Sequence, residues 1–442
     1  MTGMLGYYFE LAVRSLRRNP VLTGLMVLAI AVGIGTSMTT LTVMHLLSGD
    51  PLPGRSGHLF YPQVAPDPTR TAQTHPAEVM DYRSAMDLWS AKRADRQAII
   101  VHSELKVRAP GTNLPPLMEP MLSTTTDFFA MFDVPFEYGG AWTAEDDEKH
   151  ARVVVISSNL NHKLFRGENS VGRTLHLANT DVRIVGVLKP WRPSPLFYSV
   201  HGGRFAMGDT ADFYSAPEDV MTPFQSGLEI NDGHFQQFTC WQLPDTPGHL
   251  QNAPCLWVWL WVQIDDSAKV DDYRRFVAGY AEQQKAMGRF TQSLTDLPSL
   301  MEWMQTNRVV PGDVRLQTWL AFAFLAICLC NSIGLMLAKF LRRSGDYGVR
   351  RALGATRGAV ITQCLVEAGV IGLAGGLVGW LFTLAGLWLV RQQDVAYADL
   401  VHLDPAMFLV TFVLAVVVSL VAGALPAVRA GGVAPGLQLK TL

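Results

Sequence analysis

The sequence predicts an α-helical membrane protein with four transmembrane helices and a large mixed α+β extracytoplasmic domain between spans 1 and 2. Three observations carry this. Four apolar runs, at residues 21–47, 316–340, 359–390 and 406–428, are each long enough for the roughly 20 helical residues that cross a hydrocarbon core of about 30 Å. The stretch 48–315 has no such run and is long enough for one or two folded domains. Between the second and third runs, residues 342–357 gather Arg342, Arg343, Arg350, Arg351 and Arg357 against the single acid Asp346, and membrane proteins retain such arginine-rich loops in the cytoplasm.

The composition fits. Of 442 residues, 49% are hydrophobic and 17% charged, with a formal net charge of -2, which argues against a nucleic-acid partner and against a disordered chain. The partner that hydropathy implies is membrane lipid.

The elements follow in order. Residues 1–20 are expected as a cytoplasmic amphipathic helix, since Tyr8, Leu11, Val13 and Leu16 approximate one apolar stripe while Arg14, Arg17 and Arg18 fall mostly elsewhere. The alternative is a basic flank that only sets topology. The run 21–47 exceeds the core of about 7–15 residues of a signal peptide, and no small-residue cleavage site follows, so it reads as a retained anchor. Residues 341–358 form the cytoplasmic loop. The loop 391–405 sets Arg391 against Asp394, Asp399 and Asp404 and belongs outside, while Arg429 and Lys440 keep the tail 429–442 inside. Both termini are therefore expected in the cytoplasm.

Within 48–315, residues 49–70 are rich in Pro and Gly and read as a linker or irregular entry. Residues 152–157 and 181–188 are expected strands, and 158–165 a short helix ending near Gly167. Residues 270–290 are polar and helix-prone, suited to a stalk or a domain-closing helix. Cys328, Cys330 and Cys364 fall in apolar runs. Cys240 and Cys255 lie in the extracytoplasmic domain, where an oxidising compartment would let them close a loop of about 16 residues, worth roughly 3 kcal/mol by chain entropy.

Chemistry-bearing motifs are missing. No G-x-x-x-x-G-K-[ST], H-E-x-x-H, G-x-S-x-G or Cys-x-x-Cys occurs, and the 11 histidines lack ligand spacing, so neither a catalytic site nor a metal site is expected. Glu367 is the exceptional charge within a run. It either lines a pathway or, the preferred structural reading, contacts Arg357 or a partner near the interface. In the same run Gly372 with Gly376, and Gly375 with Gly379, form two overlapping G-x-x-x-G patterns. These permit close helix contact, within the chain or across a dimer.

Two regions together resemble the permeases of the MacB and FtsX type, the membrane component of a mechanically coupled class of ABC transporters. Asp346-Tyr347-Gly348-Val349-Arg350-Arg351-Ala352-Leu353-Gly354-Ala355-Thr356-Arg357, followed by Gln363, Glu367 and the glycine-rich run, is similar to the family's E-x-G-[IV]-R-R-A-L-G-A-[TS] signature, with Asp346 replacing the usual Glu. Leu122 to Phe129, Gly140, Asp146-Asp147, residues 153–157, Leu164-Phe165, Val171-Gly172-Arg173 and Val185-Gly186-Val187 resemble the family's periplasmic core domain. Leu425-Pro426-Ala427-Val428-Arg429-Ala430 also fits, whereas Ala434-Pro435 stands where the family often has Asp-Pro.

The resemblance implies a multi-pass protein of the bacterial inner membrane whose large domain is periplasmic. It implies a cytoplasmic ABC ATPase bound in trans that holds ATP and Mg, so this chain carries no cofactor and is not itself an enzyme. It further implies a dimer, with a second copy or a sister permease, and a periplasmic adaptor with an outer-membrane channel for efflux of antibiotics, peptides or other periplasmic substrates. Asp346, Gly348, Arg350, Arg351, Ala352, Leu353, Gly354 and Ala355 would form the ATPase-coupling element, and Gly372, Gly375, Gly376 and Gly379 the packing of the span. Competing readings are a transducer that activates a periplasmic cell-wall hydrolase, a lipoprotein-extraction permease and, less well supported, a membrane-anchored enzyme. Residues 189–254 are the least family-like part and the expected seat of specificity.

Overall fold

A computed structural model of the chain describes residues 2–69, 74–111, 115–203, 211–231, 233–395, 397–401 and 405–431. It divides into two units, one of Met1–Gly49 with Val310–Leu442 and one of Asp50–Val309.

In the first unit, the helix Thr2–Arg18 leads through Asn19 into the first span, Pro20–Ser48, which opens with proline in the first turn, where its missing N–H costs no hydrogen bond. The second span is Gly312–Arg342, the third Arg357–Arg391 and the fourth Pro405–Gly431. All four are long and apolar enough to cross a membrane. The second and third outrun their apolar stretches because helical hydrogen bonding continues into polar flanks. The segment expected as a loop over 341–358 is instead largely a short helix, Ser344–Ala352. Its first turn holds Asp346 and its last Arg350 and Arg351, the charge order that the helix dipole favours. The Thr2–Arg18 helix packs on the third span, with Ala12 and Ser15 buried and Tyr8, Leu11, Val13 and Leu16 half-buried.

The core of this unit is built from Met26, Ile30 and Ile34 of the first span, Leu325 and Met336 of the second, Cys364 and Ile371 of the third, and Ala415 and Ala422 of the fourth. Large apolar residues such as Trp319, Ile327, Leu377 and Trp388 are exposed, as expected of helices whose outer faces meet lipid.

The second unit is organised by a sheet of nine strands. Leu59–Phe60, Trp259–Gln263, Arg96–Arg108, Leu117–Thr124, Val220–Pro223, Val153–Ile156, Thr180–Leu188 and Phe136–Gly139 lie side by side in that order, and Thr174–Leu177 pairs with both Arg96–Arg108 and Thr180–Leu188. The expected strands and helix appear as Val153–Ile156, Thr180–Leu188 and Ser158–Phe165. The strands are parallel, as a strand–helix–strand crossover requires, and Arg166 ends the helix in the left-handed region.

The 13-residue strand Arg96–Arg108 serves two cores. Its Ile99 and Val101 pack with Trp257, Leu260, Tyr273, Val277 and Ala281. Its Leu105 and Val107 pack with Met121, Val154, Leu160, Ile184 and Val187. Two readings left open by the sequence are narrowed here. The helix Ser267–Ala286 is no stalk, because Tyr273, Val277 and Ala281, one turn apart, bury one face of it in the first core. Nor is 49–70 a linker throughout: Leu59–Phe60 and Gln63–Val64 pair with Trp259–Gln263 and Thr295–Asp296 and are buried. Cys240 and Cys255 are joined in a disulfide across the two-stranded sheet Thr239–Cys240 with Cys255–Leu256.

Candidate functional site

The helix Ser344–Ala352 is seated on the bundle by Gly348, which is buried, and it touches the second and fourth spans. Arg350 Nη1 donates to Gln363 Oε1 at 2.7 Å and ties it to the third span as well. Gly354, with φ of +100°, then reverses the chain in a conformation that residues with a Cβ rarely adopt. Ala355 N donates back to Arg350 O at 3.1 Å, and Thr356 Oγ1 caps the third span by accepting from Ala359 N at 3.2 Å. This anchoring leaves Asp346, Val349, Ala352 and Leu353 on the outside, with Leu353 84% exposed. An aliphatic side chain held out in this way would gain about 1.5–3 kcal/mol on burial in a partner.

Directly before this helix, four polar side chains from three elements meet inside the bundle. Ser15 Oγ of the N-terminal helix donates to Glu367 Oε1 of the third span, and Arg343 Nη1 donates to Ser15 Oγ. Lys339 Nζ, near the end of the second span, forms an ion pair with the same Oε1, and Arg343 Nη1 lies 4.0 Å from Oε2. Glu367 is 0% and Lys339 1% exposed. The fit is incomplete: Lys339 Nζ contacts the carboxylate without hydrogen-bond alignment, and Oε2 accepts no hydrogen bond. One buried acid thus holds two cations, and removing it would leave both uncompensated, a change that ordinarily costs about 3–5 kcal/mol. Glu367 therefore meets Lys339, Arg343 and Ser15 rather than Arg357 or an outside partner.

The two glycine pairs face two different helices of this chain. A Cβ on Gly372 would lie 2.6 Å from Ser419 Cβ, and one on Gly376 would lie 2.9 Å from Ala415 Cβ, both on the fourth span. A Cβ on Gly375 would lie 2.7 Å from Ile30 Cγ2, and one on Gly379 would lie 3.2 Å from Ala31 O, both on the first. Both patterns serve packing within the chain. Small residues allow this close approach where apolar burial supplies no drive between helices.

Asp346, Gly348, Arg350, Arg351 and Ala352 thus share one short helix, with Leu353 at its C-cap and Gly354 and Ala355 in the turn that follows. Sequence reasoning missed Ser15, Lys339 and Arg343 as partners of Glu367. The available signal was Lys339, a charge inside an apolar run, which by the same rule that marked Glu367 should have had a partner named.

The sequence matches the MacB-like periplasmic core domain over residues 23–275 and the FtsX-like permease C-terminal domain over residues 319–435. A macrolide export ATP-binding/permease protein MacB from Rhodopirellula baltica is 22% identical over 386 residues, covering 83% of this chain and 53% of that protein. Its counterpart from Marinobacter nauticus is 24% identical over 306 residues, covering 68% of this chain and 40% of that one. The chain therefore spans about half the length, or less, of these curated relatives. The crystal structure of the periplasmic region of MacB from Actinobacillus actinomycetemcomitans aligns with 58% of this chain and 96% of its own at 12% identity and a TM-score of 0.35. With the first domain match alone covering more than half of its residues, this chain belongs to the MacB/FtsX-type permeases, a permease family of ABC transporters.

Proposed function

We propose that this chain is the permease subunit of an ABC transporter that converts ATP hydrolysis by a separate cytoplasmic ATPase into movement of its periplasmic domain, driving efflux of antibiotics, peptides or other periplasmic molecules. The observation that carries this reading is the helix Ser344–Ala352, fixed to three spans and displaying Val349, and Leu353 at its C-cap, among arginines. Its charge supports placing it, with both termini, on the cytoplasmic side, and the family resemblance supports a bacterial inner membrane.

In this mechanism the ATPase grips Leu353 and Val349, and the closing of two ATPase subunits pulls together the two coupling helices of a permease dimer. The helix does not swing freely. Arg343 precedes it without a gap and enters the Ser15, Lys339 and Glu367 cluster, so a push is delivered to the second span, the third span and the N-terminal helix together. Close glycine contacts make the first, third and fourth spans lean as one body. The first and second spans are continuous in sequence with the two ends of the Asp50–Val309 unit, so tilting them moves the points at which that domain is held. The charges of the cluster are turned on one another, and the stroke requires no substrate passage between the spans.

The test is to purify the tagged chain in mild detergent, with and without ATP and vanadate, and to identify its companions by mass spectrometry. An ABC ATPase recovered with a periplasmic adaptor supports efflux, and a sister permease in equal amount makes the unit a heterodimer. A cell-wall hydrolase in the adaptor's place overturns the efflux reading, and recovery of no ATPase overturns the coupling reading.

A further inference from the structure

The Asp50–Val309 unit contains an open cavity of about 630 Å³ that ATPase coupling does not use. Leu188, Pro190, Trp191 and Pro217 give it an apolar wall, and Lys189 and Arg192, both exposed, stand along the same strip of chain. The Trp191 ring is fixed before any ligand arrives. It stacks on Tyr198 with 5.8 Å between centroids and 6° between planes, and Tyr198 is fully buried with its hydroxyl donating to Glu218 Oε2 at 2.8 Å. Arg192 is also held, its Nη2 donating to Tyr214 O at 3.2 Å. A flat ring that is already placed loses little freedom when a ligand binds it.

Among the described residues, the two acids that line the cavity are committed elsewhere. The Glu218 carboxylate points into the core, where His102 Nδ1 lies 2.6 Å from Oε1 and Tyr198 occupies Oε2. Burial pushes its pKa up, but His102 and these hydrogen bonds hold it below the usual glutamate value. Asp219 Oδ1 accepts from Ser157 Oγ, and Oδ2 lies 4.0 Å from Lys163 Nζ, which also pairs with Glu119 at 3.0 Å. An incoming molecule therefore meets an aromatic and aliphatic wall edged by Lys189, with Ser158, Asn159 and His162 on the remaining lining.

We propose that this cavity is a small-molecule site for amphipathic organic anions, taking a planar apolar body against Pro190, Trp191 and Pro217 and its carboxylate on Lys189. The volume falls within the range of about 300–1,000 Å³ typical of small-molecule pockets. The site does not depend on the coupling reading, because a chain that drives no ATPase would still bind such a ligand.

The experiment uses the full chain in lipid nanodiscs and 2-naphthoate as the probe, read by equilibrium dialysis against empty nanodiscs. Saturable binding is expected, and Lys189→Glu should weaken it by about tenfold or more, the scale of one charge-assisted contact. Trp191→Ala should weaken it similarly. On the unaltered chain, 2-naphthylmethylamine, with the same ring and the opposite charge, should show no saturable binding, a result independent of whether any variant folds. Equal binding of the amine, unchanged binding in Lys189→Glu, or no saturable binding of naphthoate up to about millimolar concentration overturns the proposal.

Discussion

Glu367 and Lys339 place opposite charges inside a bundle whose other buried residues are largely apolar or small. Withdrawing both from water costs several kcal/mol per ion before their attraction is counted. Glu367→Ala should therefore lower the stability of the detergent-solubilised chain by about 3–5 kcal/mol, whereas the triple change Lys339→Met, Arg343→Met and Glu367→Leu should recover most of that loss, as read by denaturant titration. The sequence marked Glu367 as exceptional and carried a signal for Lys339, but it could not name Ser15, which is 352 positions away and is brought to Glu367 only by tertiary packing. In the other unit, burial acts on a carboxylate of the inserted domain. Asp147 accepts from Trp142 Nε1 and Thr126 N, both at 2.7 Å, and burial raises its pKa to about 6. Since the folded chain then holds this proton more tightly than the unfolded chain, the contribution of Asp147 to stability falls as pH rises from about 4 to 6 and is constant above. Melting curves of the wild type and Asp147→Asn should accordingly shift relative to each other in favour of Asn over that interval.

At the scale of elements, the third span is the hub, with its glycine faces spent on the first and fourth spans. Gly375→Leu drives a side chain into Ile30 and should destabilise the bundle by about 1–3 kcal/mol, the usual cost of overpacking. Leu377→Ala, on the exposed face of the same helix, should change stability by about 0.5 kcal/mol or less. Thermal melting in detergent separates the two. Hydropathy made the spans legible, because long apolar runs leave few alternatives. It did not reveal the Ser344–Ala352 helix, since Gly345 and Gly348 read locally as turn residues and the helix forms where Gly348 allows it to sit against the spans. The strand Arg96–Arg108 escaped for a related reason. His102 and Ser103 are polar yet buried between its two apolar halves, so neither alternation nor a continuous apolar run is maintained along it.

For the whole molecule, the division into a bundle and an inserted domain was legible from where apolar runs stop, and the β-branched runs and turn residues gave one strand–helix–strand unit of that domain. The cavity was not legible, because its walls come from separate stretches around residues 157–162, 188–192 and 216–219 that only the sheet order brings together. The central claim is that the exposed end of the short basic helix is where an ATPase drives this chain. Leu353→Asp tests it most directly, since a side chain 84% exposed has little folding role. The measurement is ATP hydrolysis by the permease with its co-purified ATPase, beside the melting temperature of the permease variant alone. The account predicts that stimulation by the permease drops by about tenfold or more, the equivalent of one buried leucine at the contact, with melting unchanged. Full stimulation by a folded Leu353→Asp chain would contradict it.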